Sequence, residues 1–332
     1  MEILLGRSLA RSVSVAAELA LADRLARGAV TVSDLAVSAG VHEEALYRLL
    51  RALAAFGIFR ELDGRRFENS ELSEPLRGDH PGSLRAQAEW IDGPLCWGAW
   101  GRLDHSVRTG RPAFDEVFGM PWFEYLEQSA PDRERFDAAM GAATRGTARA
   151  VAEAYDYSGV ETLVDVGGGR GDLLAAILER HPSVGGVLMD RPEVVRRASA
   201  RLGELAGRVS LVPGDFFEEV PPGGDLYVVK QVLHDWSDEL CLEILGNCRA
   251  AMSDGARLLI VERTISETRE SRWSKLRDLD LLAITGGGRE RDEEEYVALL
   301  ERAGLERVRV LPTTTQVGIL EARLRGAGPA AG

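Results

Sequence analysis

The stretch TLVDVGGGRGD, residues 162–172, decides the fold. An almost unbroken apolar run passes into a cluster of glycines, and Asp172 then opens LLAAIL, a second apolar run with helical spacing. Strand, glycine turn and helix in that order form the first unit of a parallel α/β sheet, which takes its ligands beyond the carboxyl ends of its strands. Four similar runs follow, VGGVLMD (184–190), RVSLVPGD (208–215), DLYVVK (225–230) and RLLIVE (257–262), alternating with helical stretches. Continuous apolar character is what strands covered on both faces require. A helix opening at Asp292, with Glu295 three residues on as a capping box and Gly304 as its stop, leads to LERVRVLP and TQVGILEARL, read as an antiparallel pair at the sheet edge. The prediction is a doubly wound α/β domain of seven strands over residues 158–324.

The glycine loop itself excludes one class of ligand. Gly167 and Gly169 fit the GxGxxG pattern of dinucleotide sites, but its last position is Asp172, where close helix packing needs a small residue. Asp172 also occupies the positive end of the next helix, and no lysine stands in the loop, so pyrophosphate is a poor guest. A cationic ligand without phosphate fits better: glycines allow close backbone approach, and Asp165 favours an ammonium or sulfonium charge. S-adenosylmethionine has that character. Asp190 ends the second run 19 residues after Gly171, placed to accept both ribose hydroxyls. Asp215 ends the third, with Phe216 beside it as a platform for adenine. Strand-to-helix turns also favour Asp for purely local reasons.

The fourth run enters KQVLHDWSD, residues 230–238, where Ser237 is set to cap the following helix. His234 faces the same crevice. A lone histidine is commonly structural, yet two acids stand near in the pattern: Glu262 ends the fifth run, and Glu290 lies in the loop GGGRE, residues 286–290. Carboxylates that hold an imidazole's tautomer and stabilise its imidazolium make it a base. Glu290, among many charged neighbours, also reads as a solvated loop acid.

Upstream, residues 3–25 read as one long amphipathic helix ended by Gly28. Helical runs then surround a turn at residues 39–41, the second passing through Tyr47, Leu50, Leu53 and Phe56, and a hairpin turns at Asp63-Gly64. Helix, turn, helix and hairpin spell a winged helix over residues 1–85. DNA binding is disfavoured, because residues 31–80 carry six arginines against nine acids, and the whole chain has net charge −13. Residues 86–157 read as helical and hold four of the six tryptophans, a cluster that suits a core, a dimer seam or a pocket for a flat ligand. Residues 325–332 read as a flexible tail. Three cysteines without CxxC spacing indicate buried thiols rather than disulfides or zinc, and no histidines fall at i and i+4. No apolar run is long enough for a membrane span and no signal peptide is visible, so a soluble cytoplasmic protein is expected.

DVGGGRG, LMDRP, GDFF, KQVLHDWSD, VER and GGGRERDEEEY, in this order, resemble the S-adenosylmethionine-dependent small-molecule O-methyltransferases of the plant caffeic-acid type and their bacterial polyketide and phenazine relatives. The resemblance implies a Rossmann-like methyltransferase domain of seven strands, preceded by a helical, winged-helix-like domain that makes a homodimer. It implies S-adenosylmethionine as cofactor, S-adenosylhomocysteine as product, no metal, and a small aromatic secondary metabolite as acceptor. Gly167, Asp190, Asp215, Phe216 and Lys230 resemble the family's cofactor contacts. His234 resembles its general base, and Glu262 and Glu290 the pair that positions it. Trp90, Phe136, Met140 and Asp235 fall where the family meets its acceptor. Phe216 replaces a methionine common in plant members, and Thr285 an asparagine beside the substrate, so phenylpropanoid acceptors do not follow. Proton transfer from a phenol of pKa ~10 to an ordinary imidazole of ~6.5 is uphill by about 4 to 5 kcal/mol, so proton and methyl movement should overlap. Three other readings are a winged-helix regulator, a relative that hydroxylates or decarboxylates instead, and a metal-dependent catechol-type transferase.

Overall fold

Apolar residues at helical spacing do build a helix at the amino end, but it breaks. In the computed structural model, which describes residues 2–266 and 271–326, α1 spans Glu2–Glu18 and α2 Leu21–Arg24. The single helix read over residues 3–25 is therefore corrected: Ala20 takes a left-handed φ of 51°. That conformation costs about 1–2 kcal/mol for a residue with a Cβ. The bend turns Leu21, Ala22 and Leu25 into the core, and each fully buried leucine contributes about 1.5–3 kcal/mol, so burial wins.

Two units divide the chain: residues 1–98 with 129–143, and residues 99–128 with the chain from Thr144 onward. The helical segment 86–157 thus contributes to both. In the first unit β1 (Val30–Thr31) leads into α3 (Val32–Ala39), whose amino end is capped by Thr31 Oγ1 accepting from the Asp34 amide at 3.1 Å. Then come α4 (Glu43–Ala55), β2 (Phe59–Leu62) and β3 (Arg66–Asn69), the strands pairing antiparallel in the order β1-β3-β2. Helix, helix and hairpin make the expected wing. The hairpin connection is three residues, 63–65, with Gly64 and Arg65 both left-handed, rather than a two-residue turn. Phe56, read as part of the apolar face of α4, lies just past its end and is exposed, while Leu46, Leu50 and Leu53 carry the face inward. Two arginines here are tied to acids, Arg65 to Glu44 at 3.0 Å and Arg60 to Glu68 at 2.6 Å. In the same unit, α5 (Arg85–Ile91) packs on α1.

Along the chain, α6 (Pro94–Trp100) and α10 (Ala130–Ala154) each begin in the first unit and end in the second. Between them α7 (Leu103–Thr109), α8 (Ala113–Phe118) and α9 (Trp122–Gln128) gather around Phe114, which stacks on Phe118 at 4.4 Å and meets Trp122 edge-on at 4.8 Å. Phe114 and Trp122 are buried, so this part of the aromatic cluster is core.

The rest of the second unit alternates as expected: β4 (Thr162–Val166), α11 (Asp172–Arg180), β5 (Gly185–Asp190), α12 (Pro192–Leu202), β6 (Val209–Pro213), β7 (Leu226–Lys230), α13 (Asp238–Ala251), β8 (Arg257–Arg263), α14 (Arg272–Ile284), α15 (Glu293–Arg302), β9 (Leu305–Pro312) and β10 (Val317–Leu324). The seven strands lie in the order β6-β5-β4-β7-β8-β10-β9, the first five parallel, with β10 entering antiparallel between β8 and β9. Successive residues point to opposite faces, so Leu163, Leu188, Val228 and Leu259 pack into one core while Val164, Val229 and Ile260 pack into the other. Two covered faces are why these strands read as unbroken apolar runs. The capping box of α15 is present in both directions, at 2.8 and 2.9 Å. All three cysteines are buried thiols. Residues 327–332, most of the stretch read as a flexible tail, lie outside the described residues.

Candidate active site

The carboxyl ends of β4, β5, β6, β7 and β8 meet at one edge of the sheet, the place an open α/β sheet presents to a ligand. Beyond β4, the amides of Gly167 and Gly168 both donate to Met189 O, at 2.9 and 3.2 Å, and the Gly169 amide donates to Asp190 Oδ2 at 2.8 Å. A side chain at Gly168 is excluded, because its Cβ would stand 2.8 Å from the Asp165 carboxyl group. Asp165 is itself buried with Oδ2 unpartnered. Burial pushes its pKa up to about 7, against the pull of Lys230. Asp172 is the first residue of α11, as read.

Asp190 also accepts from the Arg191 amide at 2.8 Å, and Asp215 Oδ1 from the Phe217 amide at 2.9 Å. Asn247 Nδ2 donates to the carbonyls of Phe216 and Phe217, both at 2.9 Å, which holds the Phe216 ring against Gly167. Lys230 Nζ donates to Thr144 Oγ1 at 3.1 Å and Gln231 Oε1 at 2.9 Å, and burial brings its pKa down to about 8 despite Asp165 and Glu262. A buried acid with one carboxyl oxygen unpartnered under a bare glycine backbone, with further carboxylates at the next two strand ends, suits a cation carrying a ribose. It does not suit a pyrophosphate. Asp190→Ala should therefore weaken S-adenosylhomocysteine binding by about ten- to a hundredfold, since hydrogen bonds to charged groups contribute about 1.5–3 kcal/mol. Calorimetry with circular dichroism as the folding check reads this, and undiminished affinity removes Asp190 from the site.

Beyond β7 the chain makes one tight helical turn, Leu233–Asp235, that presents His234. Its Nδ1 lies 2.7 Å from Glu262 Oε2 on β8. Glu262 is fully buried, and its Oε1 accepts from the backbone amides of Val232 at 3.1 Å and His234 at 3.4 Å. Donation from Nδ1 to the carboxylate leaves Nε2 as the basic nitrogen. Asp235 Oδ1 stands 3.4 Å from that Nε2 and so borders the place where a proton would arrive. Burial disfavours the imidazolium, but Glu262, Asp235 and Glu290 outweigh it and push the His234 pKa up to about 9. Burial raises the carboxyl pKa of Asp235 and of Glu290, with His234 pulling each the other way. Glu290 is buried with Oε2 unpartnered, so it acts on His234 by charge and not, as its pairing with Glu262 implied, by a hydrogen bond to the imidazole. Its backbone is held elsewhere, donating to Asp278 Oδ1 at 2.8 Å.

Sequence reasoning missed what holds this turn. Arg291, fully buried, donates to Leu233 O at 2.9 Å, Trp236 O at 2.8 Å and Asp238 Oδ1 at 2.7 Å. The Arg289 amide donates to His234 O at 2.8 Å. Such close docking needs a glycine at 288, where a Cβ would stand 2.7 Å from His234 O and 2.8 Å from Asp235 O. The run of glycines before Arg289 was the one available signal; nothing local marks Arg291. Also unread was the aromatic wall next to Asp235, in which Trp236 stacks on Phe123 at 5.3 Å and meets Phe217 edge-on at 4.8 Å. The Thr285 hydroxyl is spent on Leu281 O at 2.9 Å. Trp90, Phe136 and Met140 belong to the first unit, where the Trp90 and Phe136 rings meet edge to face at 5.5 Å. Among the described residues no group of three or more His, Cys, Asp or Glu is placed to hold a metal ion, and no helix is long and apolar enough to cross a membrane.

Comparison with known proteins agrees with this geometry. Residues 100–306 match the O-methyltransferase domain, and residues 1–77 the O-methyltransferase dimerisation domain. The chain is 41% identical to a mitomycin biosynthesis 6-O-methyltransferase of Streptomyces lavendulae, over 94% of this chain and 89% of that one. It is 39% identical to the phenazine O-methyltransferase PhzM of Lysobacter antibioticus, over 97% and 95% of the two chains. A solved O-methyltransferase of neocarzinostatin biosynthesis, NcsB1, in complex with S-adenosylmethionine and 2-hydroxy-5-methyl naphthoic acid, superposes with a TM-score of 0.82 at 33% identity, covering 95% of each chain.

Proposed function

Because the chain belongs to the O-methyltransferase family and carries that family's dimerisation domain, it is an S-adenosylmethionine-dependent methyltransferase of small aromatic secondary metabolites, and we propose that His234 is its general base toward an acceptor hydroxyl. What supports this most directly is the 2.7 Å hydrogen bond from His234 Nδ1 to the fully buried Glu262. It sets the tautomer that leaves Nε2 able to take a proton.

S-adenosylmethionine, when bound, supplies an electrophilic methyl group on a positively charged sulfur. Gly167, Asp190, Asp215, Phe216 and Lys230 would hold it at the ends of β4 to β7, and a bound cation would favour the ionised form of the Asp165 carboxyl beneath the loop. His234 Nε2 takes the acceptor's hydroxyl proton as the oxygen turns nucleophilic, and Glu262 and Glu290 stabilise the imidazolium that results. A pKa near 9 changes the energetics of that step. Against a phenol of ~10 the transfer is uphill by about 1.4 kcal/mol rather than the 4 to 5 of an unperturbed imidazole. The cost is that most His234 side chains are protonated near neutrality, so positive charge from the cofactor, which lowers the value, helps to free the base. The resemblance assigns Asp235, 3.4 Å from His234 Nε2, to the acceptor. The arginine pairings in the first unit support a role in assembly rather than DNA binding, and Ile3, Leu4 and Leu5, exposed on α1, support a homodimer through it. Three buried free thiols suit the reducing cytoplasm.

Incubation with methyl-deuterated S-adenosylmethionine and a panel of phenols, hydroxynaphthoates, anthraquinones and phenazines, followed by mass spectrometry, should yield a labelled methyl ether. No labelled product from any acceptor, with the cofactor bound, would overturn the reading. Since the unprotonated imidazole is the active form, the rate below acceptor saturation should rise with pH on a limb lying between the ordinary 6.5 and about 9. A rate that is flat across that interval would remove His234 from the chemistry.

A further inference from the structure

Two guanidinium groups near Glu290 have no anion of their own among the described residues. Arg263 follows Glu262 at the end of β8, half-buried, with its Nε enclosed and unbonded. Arg277 is exposed on α14. Neither forms a hydrogen bond or an ion pair among the described residues. The arginines of the Glu290 loop differ: Arg291 and Arg289 are both committed to Asp238, and Arg289 also to Glu295.

Both unpaired groups border the site. Arg277 immediately precedes Asp278, whose carboxylate holds the Glu290 amide at 2.8 Å, so α14 is tied to the Glu290 loop at this point. The positive field of Arg277 acts on Asp235 and Glu290, and that of Arg263 on Glu290. Burial and the repulsion of Arg277 both disfavour the charge on Arg263, and Glu290 and Glu262 offset this only in part. An enclosed Nε without an acceptor, as in Arg263, is costly unless a ligand supplies one. Its planar fork matches a carboxylate in two parallel hydrogen bonds.

We propose that Arg263 and Arg277 receive a carboxylate carried by the acceptor, so that the substrate class is hydroxylated aromatic acids, the acid group held by the arginines while the hydroxyl reaches His234. This rests on the methyl-transfer reading. The test compares 3-hydroxy-2-naphthoate with 2-naphthol, the same ring with and without the acid, in titration calorimetry of the full chain saturated with S-adenosylhomocysteine, so that binding is read without turnover. The acid should bind about ten- to a hundredfold tighter, as expected for hydrogen bonds to a charged group. Arg277→Gln and Arg263→Met should each bring the ratio of the two dissociation constants toward one. Arg277 is exposed, so its variant keeps the test decisive even where Arg263→Met does not fold. Equal binding by the unsubstituted protein, or a ratio unchanged in Arg277→Gln, overturns the proposal. Separately, failure to methylate either compound with S-adenosylmethionine would count against methyl transfer while leaving the ratio to decide the arginines.

Discussion

His234→Ala is expected to slow methyl transfer by about two to four orders of magnitude, the usual contribution of a positioned general base. S-adenosylhomocysteine affinity should survive, because the glycine loop, Asp190 and Asp215 lie on other strand ends from the imidazole. The size of the loss follows from proton bookkeeping. With the imidazole in place, transfer from a phenol faces about 1.4 kcal/mol at a His234 pKa near 9; without it the proton must leave to water, a far weaker base. Single-turnover rates at saturating cofactor separate this from binding. An unchanged rate would mean that proximity and the cofactor's charge do the work alone and that His234 is structural. The residual rate should lose the rising limb of the pH profile, a signature that a merely damaged fold would not produce.

Glu262→Gln should be the next most damaging change, slowing turnover by about a hundredfold or more, since an orienting carboxylate replaced by its amide can cost about 10⁴ in the serine-protease triad. The amide keeps the shape and can still accept from the Val232 and His234 amides, which Glu262 holds at 3.1 and 3.4 Å. What it loses is the charge that outweighs burial at His234, so the imidazole pKa should fall and the rising limb should move to lower pH. An amide can also donate to Nδ1, which favours the tautomer whose Nε2 already carries a proton. The double variant His234→Ala/Glu262→Gln should be no slower than His234→Ala alone, because Glu262 acts through the imidazole. If the two losses multiply instead, Glu262 has another role. A pH profile that stays in place in the single variant would likewise sink the positioning assignment.

Much of this was readable before any coordinates, and for identifiable reasons. Strands buried on both faces leave continuous apolar runs, so the order of the sheet's seven strands in the chain was visible, down to the Asp292 and Glu295 capping box. The α1 break was not, because Ala20 carries no mark of a left-handed residue and only the burial of Leu21 and Leu25 selects it. The Gly64 hairpin was located, but its third loop residue, Arg65, is likewise an unmarked left-handed residue.

By itself the sequence determined the things that local chemistry encodes. Periodicity set the layers, glycines and acids at strand ends pointed to a cation without phosphate, and the pattern of Lys230, His234 and Glu262 set an imidazole and a carboxylate at the same sheet edge. Tertiary structure decided whatever depends on atoms far apart in the chain. It placed Glu262 within 2.7 Å of His234 across 28 residues, and it turned Arg291 from an apparent loop charge into a fully buried clamp on the His234 turn. Among the described residues it left Arg263 and Arg277 unpaired while pairing Arg289 and Arg291. The physical reason is the same in each case: the energy of a charge depends on its burial and on the nearest opposite charge. Neither quantity is a property of a residue's neighbours in sequence.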